Sequence, residues 1–143
     1  MSEVQKINSP DRPAGPMYSH AVKIPGLIFC SGQTPMDSTG NVVPGDIKAH
    51  TASSSCHRVC DLTFKLFPQA QCVSNLTDVL KAAGSSWENV VKVNVYLRSM
   101  DDYAAMNEEY IKLLPDPKPA RTCIQAGKLP FDVDIEIEAI AAV

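Results

Sequence analysis

Residues 90–114 read VVKVNVYLRSMDDYAAMNEEYIKLL, and the period of the apolar residues changes halfway along. Over residues 90–97, Val91, Val93, Val95 and Leu97 alternate with Lys92, Asn94 and Tyr96, which is the period-2 pattern of a strand. Over 101–114 the apolar residues Tyr103, Met106, Tyr110 and Leu113/Leu114 recur at helical spacing. Ser99 stands where an N-cap belongs, and Asp101 and Asp102 suit the positive end of the helix dipole. Pro115, Pro117 and Pro119 end the helix. A strand running straight into an amphipathic helix implies a sheet with helices packed on it.

The same reading extends outward. Upstream, Val73, Leu76, Val79, Leu80 and Ala83 predict a helix over 72–83, with Gly84 as its C-terminal cap. Residues 21–24 and 27–31, joined by Pro25-Gly26, read as a hairpin. The stretch 9–16 carries three prolines and is neither helix nor central strand; Gly32, Pro35, Gly40, Pro44 and Gly45 mark a long loop. Downstream, 121–128 and 133–142 are the last strands, separated by Leu129-Pro130. The order is β-β-α-β-α-β-β, an α+β domain with two helices on one mixed sheet. Two helices cover one face only, yet residues 27–31 are apolar on both sides and the chain ends Ile140-Ala141-Ala142-Val143. Self-association is the economical way to bury the second face.

Composition narrows the function. The 143 residues suit one domain, and 45% hydrophobic with 20% charged residues is globular. Thirteen basic against sixteen acidic residues leave a formal charge of −3, with no excess to cover a phosphate backbone. The longest apolar runs are too short to span a bilayer. Five cysteines form an odd, irregular set, unlike a disulfide framework. The first sixteen residues lack an apolar secretory core, and Glu3 with a single Arg12 makes a poor mitochondrial presequence. The expectation is a cytoplasmic protein.

Chemistry concentrates in the last third. Arg121, Cys123 and Gln125 share one strand face, and Asp134, Glu136 and Glu138 share another. If those strands are antiparallel neighbours, Arg121 meets an acid across them. That pair reads either as a cross-strand salt bridge on a solvated face or as a site. In a site, the arginine clamps a substrate carboxylate and the acid moves protons.

Pro119-Ala120-Arg121-Thr122-Cys123, Leu129-Pro130 and the run from Ile135 to Ala141 resemble the C-terminal signature of the RidA (YjgF) family of reactive-intermediate deaminases. Tyr18-Ser19-His20-Ala21-Val22, Phe29-Cys30-Ser31-Gly32-Gln33 and Met106-Asn107-Glu108-Glu109-Tyr110 resemble its tyrosine segment, Ser-Gly-Gln turn and helix asparagine. The resemblance implies a chorismate-mutase-like fold and a homotrimer with a pocket at each subunit interface. It implies hydrolysis of 2-imino or 2-enamino acids, such as 2-iminobutanoate and 2-iminopropanoate, to 2-keto acids and ammonia, without metal or cofactor. Arg121 would clamp the substrate carboxylate and Glu136 would orient or activate water. Tyr18, Ser31, Gly32, Asn107 and Cys123 would line the site. An imine carbon is electrophilic once its nitrogen is protonated, so one arginine and one acid suffice, and Cys123 is not needed as a nucleophile. Other activities described in the family, endoribonuclease or translation inhibition, sit poorly with the negative charge. A non-catalytic, ligand-sensing or chaperone-like trimer uses the same pockets.

The sequence departs from the family pattern at two places. Met17 separates Pro16 from Tyr18, and residues 52–68 interrupt the start of the first expected helix. Within them Cys56-His57 and Cys60, with Cys72, offer part of a zinc ligand set, but the spacing is not that of paired knuckles. The segment reads as a loop, or as the trace of a retained intron or gene-model error, inserted into a single domain spanning 1–143. His20, just before the hairpin strand, is placed to touch the pocket, though a surface histidine is the default, and Trp87 anchors the loop after the helix.

Overall fold

The computed structural model describes residues 4–51 and 71–143. Six strands form one sheet in the order β1-β2-β3-β6-β4-β5. They are β1 (Gln5–Ile7), β2 (Ala21–Ile24), β3 (Leu27–Gln33), β4 (Val90–Leu97), β5 (Ala120–Gln125) and β6 (Ile135–Ala142). The helices are α1 (Ile47–Thr51), α2 (Gln71–Ala82) and α3 (Tyr103–Leu113). The α+β class, the hairpin, both long helices and the mixed sheet follow the sequence reading. The short elements β1 and α1 were not anticipated, and β5 and β6 are shorter than the expected strands. Residues 52–68, including Cys56, His57 and Cys60, lie outside the described residues.

Local chemistry accounts for these elements. Gly26 has φ +85°, which the turn after Pro25 requires where Ile24 pairs with Leu27. Gly84, at φ +78°, ends α2; its N–H donates to the Lys81 carbonyl and that of Ser85 to Leu80. The Ser99 hydroxyl accepts from the Asp101 N–H, capping a 3-10 turn over Met100–Asp102 that leads into α3. Trp87 Nε1–H donates to Thr77 Oγ1 at 2.8 Å, pinning the loop to α2 as expected.

Alternation divides the sheet. Val93, Val95 and Leu97 of β4, Ile135, Ile137, Ala139 and Ala141 of β6, and Ile28 and Cys30 of β3 are buried with Cys72, Val73, Leu76, Val79 and Leu80 of α2 and Met106 and Tyr110 of α3. A register shift between Val90 and Lys92 puts Val90 in the core and leaves Val91, expected inside, exposed. The opposite face carries no helix among the described residues. On it Phe29 is 41% and Ile124 49% exposed. They stand among polar and charged residues such as Asn94 and Glu138 on the face for which the sequence reading expects self-association.

Candidate active site

Two features of the sheet place the chemistry. The first is a bulge in β3. Cys30 pairs with Ala139 and Gln33 with Ile137, so three steps along β3 span two along β6. Ser31 and Gly32 occupy the irregularity, as bulges beside functional sites often do. A Cβ at Gly32 would lie 2.0 Å from Glu136 Oε1, so only glycine lets the carboxylate rest there. The Ser31 hydroxyl donates to the Ser19 carbonyl at 2.7 Å, and its N–H to that of His20 at 2.9 Å.

These residues open into a cavity of about 530 Å³ whose lining includes Tyr18, Ser31, Gly32 and Glu136. Its outer wall is the 12–18 segment, and Pro130 and Phe131 form part of the rim. Phe131 adopts φ +58°, rare for an aromatic residue, and stands exposed at the mouth. Burial raises the pKa of the Glu136 carboxyl, and the Glu138 charge adds to the shift. Glu136 therefore holds its proton more tightly than a free glutamate, which suits a group that passes protons. Glu138 is tied elsewhere: Asn94 Nδ2 donates to its Oε1 at 2.7 Å and the Tyr96 hydroxyl at 2.9 Å.

The second feature is the parallel pairing of β5 with β4, which sets Arg121 opposite Val93 and Cys123 opposite Val95. Both therefore point to the helix side of the sheet. There Arg121 Nη1 donates to Asn107 Oδ1 at 2.5 Å and Nη2 to the Tyr103 hydroxyl at 3.1 Å. The guanidinium lies 4.8 Å from the Tyr110 ring centroid and 5.6 Å from that of Tyr103. The buried Tyr110 hydroxyl has no hydrogen-bond partner among the described residues; the ring face is what serves Arg121. Burial raises the Cys123 thiol pKa against the opposing pull of Arg121, which keeps it protonated and a weak nucleophile.

The expected cross-strand meeting of Arg121 with an acid does not occur. β5 and β6 both flank β4 and are not neighbours, because the connection after α3 returns β5 parallel to β4. Arg121 faces the helices while Glu136 faces the open side, about 10 Å away laterally and a similar distance along the strands. The seven expected site residues thus fall into two groups within one chain: Tyr18, Ser31, Gly32 and Glu136 in the cavity, and Asn107, Arg121 and Cys123 at the β5 edge.

Sequence reasoning also missed residues of the cavity. Arg12 lines it, donating to Asn75 Oδ1 and, at 2.8 Å, to the Met36 carbonyl. Asn75 Nδ2 in turn donates to the carbonyls of Thr34 and Met36. His20 is 3% exposed and lines the cavity, so of its two readings the pocket one holds and the surface default does not. Cys72, considered for zinc, is wholly buried in the core.

The family model described as Endoribonuclease L-PSP matches residues 67–143. The protein mmf2, mitochondrial, of Schizosaccharomyces pombe is 46% identical over 99% of both chains. A RutC family protein of Pyrococcus horikoshii is 41% identical over 99% of this chain and 98% of its own. Among solved structures, RidA from an Antarctic Psychrobacter superposes with a TM-score of 0.78 at 32% identity, covering 97% of this chain and 99% of that one. Escherichia coli TdcF with bound serine superposes at 0.74 and 27% identity, over 97% and 98% of the two chains. The cytoplasmic expectation is overturned here, since mmf2 and mmf1 of Schizosaccharomyces pombe, 46% and 41% identical to this chain, are both named mitochondrial. With the family model matching more than half of the chain and these relatives covering nearly all of it, the chain belongs to the RidA (YjgF) family.

Proposed function

We propose that the protein hydrolyses 2-imino and 2-enamino acids such as 2-iminobutanoate and 2-iminopropanoate, as a homotrimer whose sites form between subunits. The observation that carries this reading is the division of the site. One edge presents a guanidinium fixed by Asn107 and Tyr103, and a separate cavity presents a half-buried carboxyl of raised proton affinity. In the cavity the Arg12 guanidinium is engaged by Asn75 and the Met36 carbonyl, so in this reading the β5 edge of one copy, set against the cavity of another, supplies the carboxylate clamp. The uncovered face of the sheet supplies a surface for that association.

In this reading Arg121 grips the substrate carboxylate through its remaining N–H groups. Glu136, protonated at the start, donates to the imine nitrogen. Its carboxylate then takes a proton from the water that attacks C2. The carbinolamine collapses as that proton passes to nitrogen: the C–N bond breaks, ammonia leaves, and the hydroxyl proton returns to the Glu136 carboxylate as the carbonyl forms. Tyr18, Ser31 and Gly32 line the approach, and Cys123 stays a spectator beside Arg121. The family resemblance assigns no metal or cofactor to these steps. The bound serine of TdcF, a small amino acid, supports a small-molecule site of this class.

The test supplies the imine in situ from threonine with a pyridoxal-phosphate dehydratase and follows release of 2-ketobutanoate. Wild-type protein accelerates release, and Arg121→Ala and Glu136→Gln abolish the acceleration; equal rates with and without wild-type protein refute the proposal. The matching family model is described as an endoribonuclease, which makes RNA cleavage the competing outcome. Salt-sensitive RNA cleavage lost in the same two variants, without imine hydrolysis, favours that activity.

A further inference from the structure

His20 is a crossing point between the cavity wall and the strand that carries Ser31. Its Nδ1 accepts from the Ser9 N–H at 3.0 Å, and its Nε2 lies 3.1 Å from the Pro13 carbonyl oxygen. Because Nδ1 accepts an N–H, the ring proton sits on Nε2 and donates to Pro13; the imidazole is neutral. The backbone is equally engaged. The His20 N–H donates to Asn8 Oδ1 at 2.9 Å, and the His20 carbonyl accepts from the Ser31 N–H at 2.9 Å. Ser9 and His20 are both buried, so the Nδ1 bond is made away from water, where an unmade one is costly, while the bond to Pro13 is part-buried. Between Ser9 and His20 itself run the cavity-lining residues Arg12, Pro13, Ala14, Gly15, Met17 and Tyr18, with Pro13 held by the ring midway along them.

We propose that His20 is a positioning residue that holds this wall at a fixed distance from Ser31, Gly32 and Glu136, by clamping Ser9 and Pro13 with its two ring nitrogens. The inference rests on the hydrolytic reading above. The backbone bonds of His20 survive substitution of its side chain, so a variant isolates the ring clamp. Phenylalanine fills the space but offers neither donor nor acceptor. Glutamine offers one of each on a single amide and restores the pair chemically. Arg121 lies outside the cavity, so loosening the wall disturbs the reacting carbon and its water more than the hold on the substrate carboxylate.

The experiment compares wild type, His20→Phe and His20→Gln in full-length protein, using the imine generated from threonine and hydrogen exchange at the Ser9 amide. His20→Phe lowers kcat by about tenfold or more with KM within about twofold, and Ser9 exchanges faster; His20→Gln returns kcat to within about threefold and restores protection. Wild-type kcat in His20→Phe overturns the proposal. So does equal loss in both variants, or loss explained wholly by a lower Tm with intact kcat per folded molecule. If wild type turns over no imine, the functional reading fails on its own. The clamp is then judged by exchange: Ser9 protection lost in His20→Phe and kept in His20→Gln upholds it, and unchanged protection in both overturns it.

Discussion

Gly32 and Glu136 touch so closely that a methyl group on the first would stand 2.0 Å from Oε1 of the second. The backbone at Gly32 is not in the left-handed region, so this glycine is required by proximity and not by conformation. The atom in the way is the end of a side chain that can turn aside. Gly32→Ala therefore folds, with Tm within a few degrees of wild type, but displaces the carboxylate. We expect kcat for imine hydrolysis to fall by about tenfold or more, since an acid moved by about 1 Å loses its hydrogen-bond geometry. Steady-state kinetics with a melting curve checks this; unchanged kcat means that Glu136 is not the proton-moving group.

The raised carboxyl of Glu136 makes a prediction about pH. Burial is the main cause, with Glu138 adding to it. A carboxyl that binds its proton more tightly in the folded than in the unfolded chain favours folding below the unfolded value, about 4.3, and loses that contribution as pH rises through the folded value. Above the folded value the ionised group opposes folding, and a glutamine in its place does not. Glu136→Gln should thus melt at an equal or higher temperature than wild type near neutrality, converge with it near pH 4, and lose activity by about 100-fold. Melting curves across that range decide the matter. A Glu136→Gln variant that melts lower at neutral pH contradicts the assignment.

The seat of Arg121 separates into an acceptor and ring faces. Asn107→Ala removes the 2.5 Å acceptor, and Tyr103→Phe removes only a hydroxyl while keeping the ring. A hydrogen bond to a charged group is worth about 1.5–3 kcal/mol, so Asn107→Ala should raise KM by roughly ten- to a hundredfold. Tyr103→Phe should raise it only a few-fold, because the ring remains within cation–π range. KM measured on the two variants tests the order; a larger effect from Tyr103→Phe reverses the account of what holds the guanidinium.

Removal of residues 52–68 tests the single-domain reading. The short α1 packs on α3, where Lys48 Nζ donates to Glu108 at 2.5 Å, and α2 supplies much of the core. Both flanks thus have their own places in the fold. The shortened chain is expected to keep wild-type Tm and hydrolysis rate or exceed them. Failure to fold would make the segment part of the domain.

Legibility in the sequence tracked the range of the interaction. The alternation through β4, the helical spacing of α2 and the turn glycines Gly26 and Gly84 are local, and all were read directly. β1 is three residues, two of them charged or polar, and gains its strand character only by pairing with β2. The helix α1 is one short turn and a half behind Pro44 and Gly45, too brief for periodicity to register. The separation of Arg121 from Glu136 depends on which strands become neighbours, and composition is silent on that. The burial of His20 is not legible because its ring bonds go to backbone atoms of Ser9 and Pro13, which leave no trace in side-chain identity. Arg12 was missed because its partner Asn75 is 63 residues away.

The central claim is that one site takes Arg121 from one copy and Glu136 from another. It is tested most directly by co-expressing Arg121→Ala and Glu136→Gln, each inactive alone, and assaying the mixed oligomers. In random trimers made from equal amounts, an interface pairs the intact arginine of one variant with the intact glutamate of the other about one time in four. The account predicts hydrolysis restored to about a quarter of the wild-type rate. A mixture as inactive as either variant alone would contradict it.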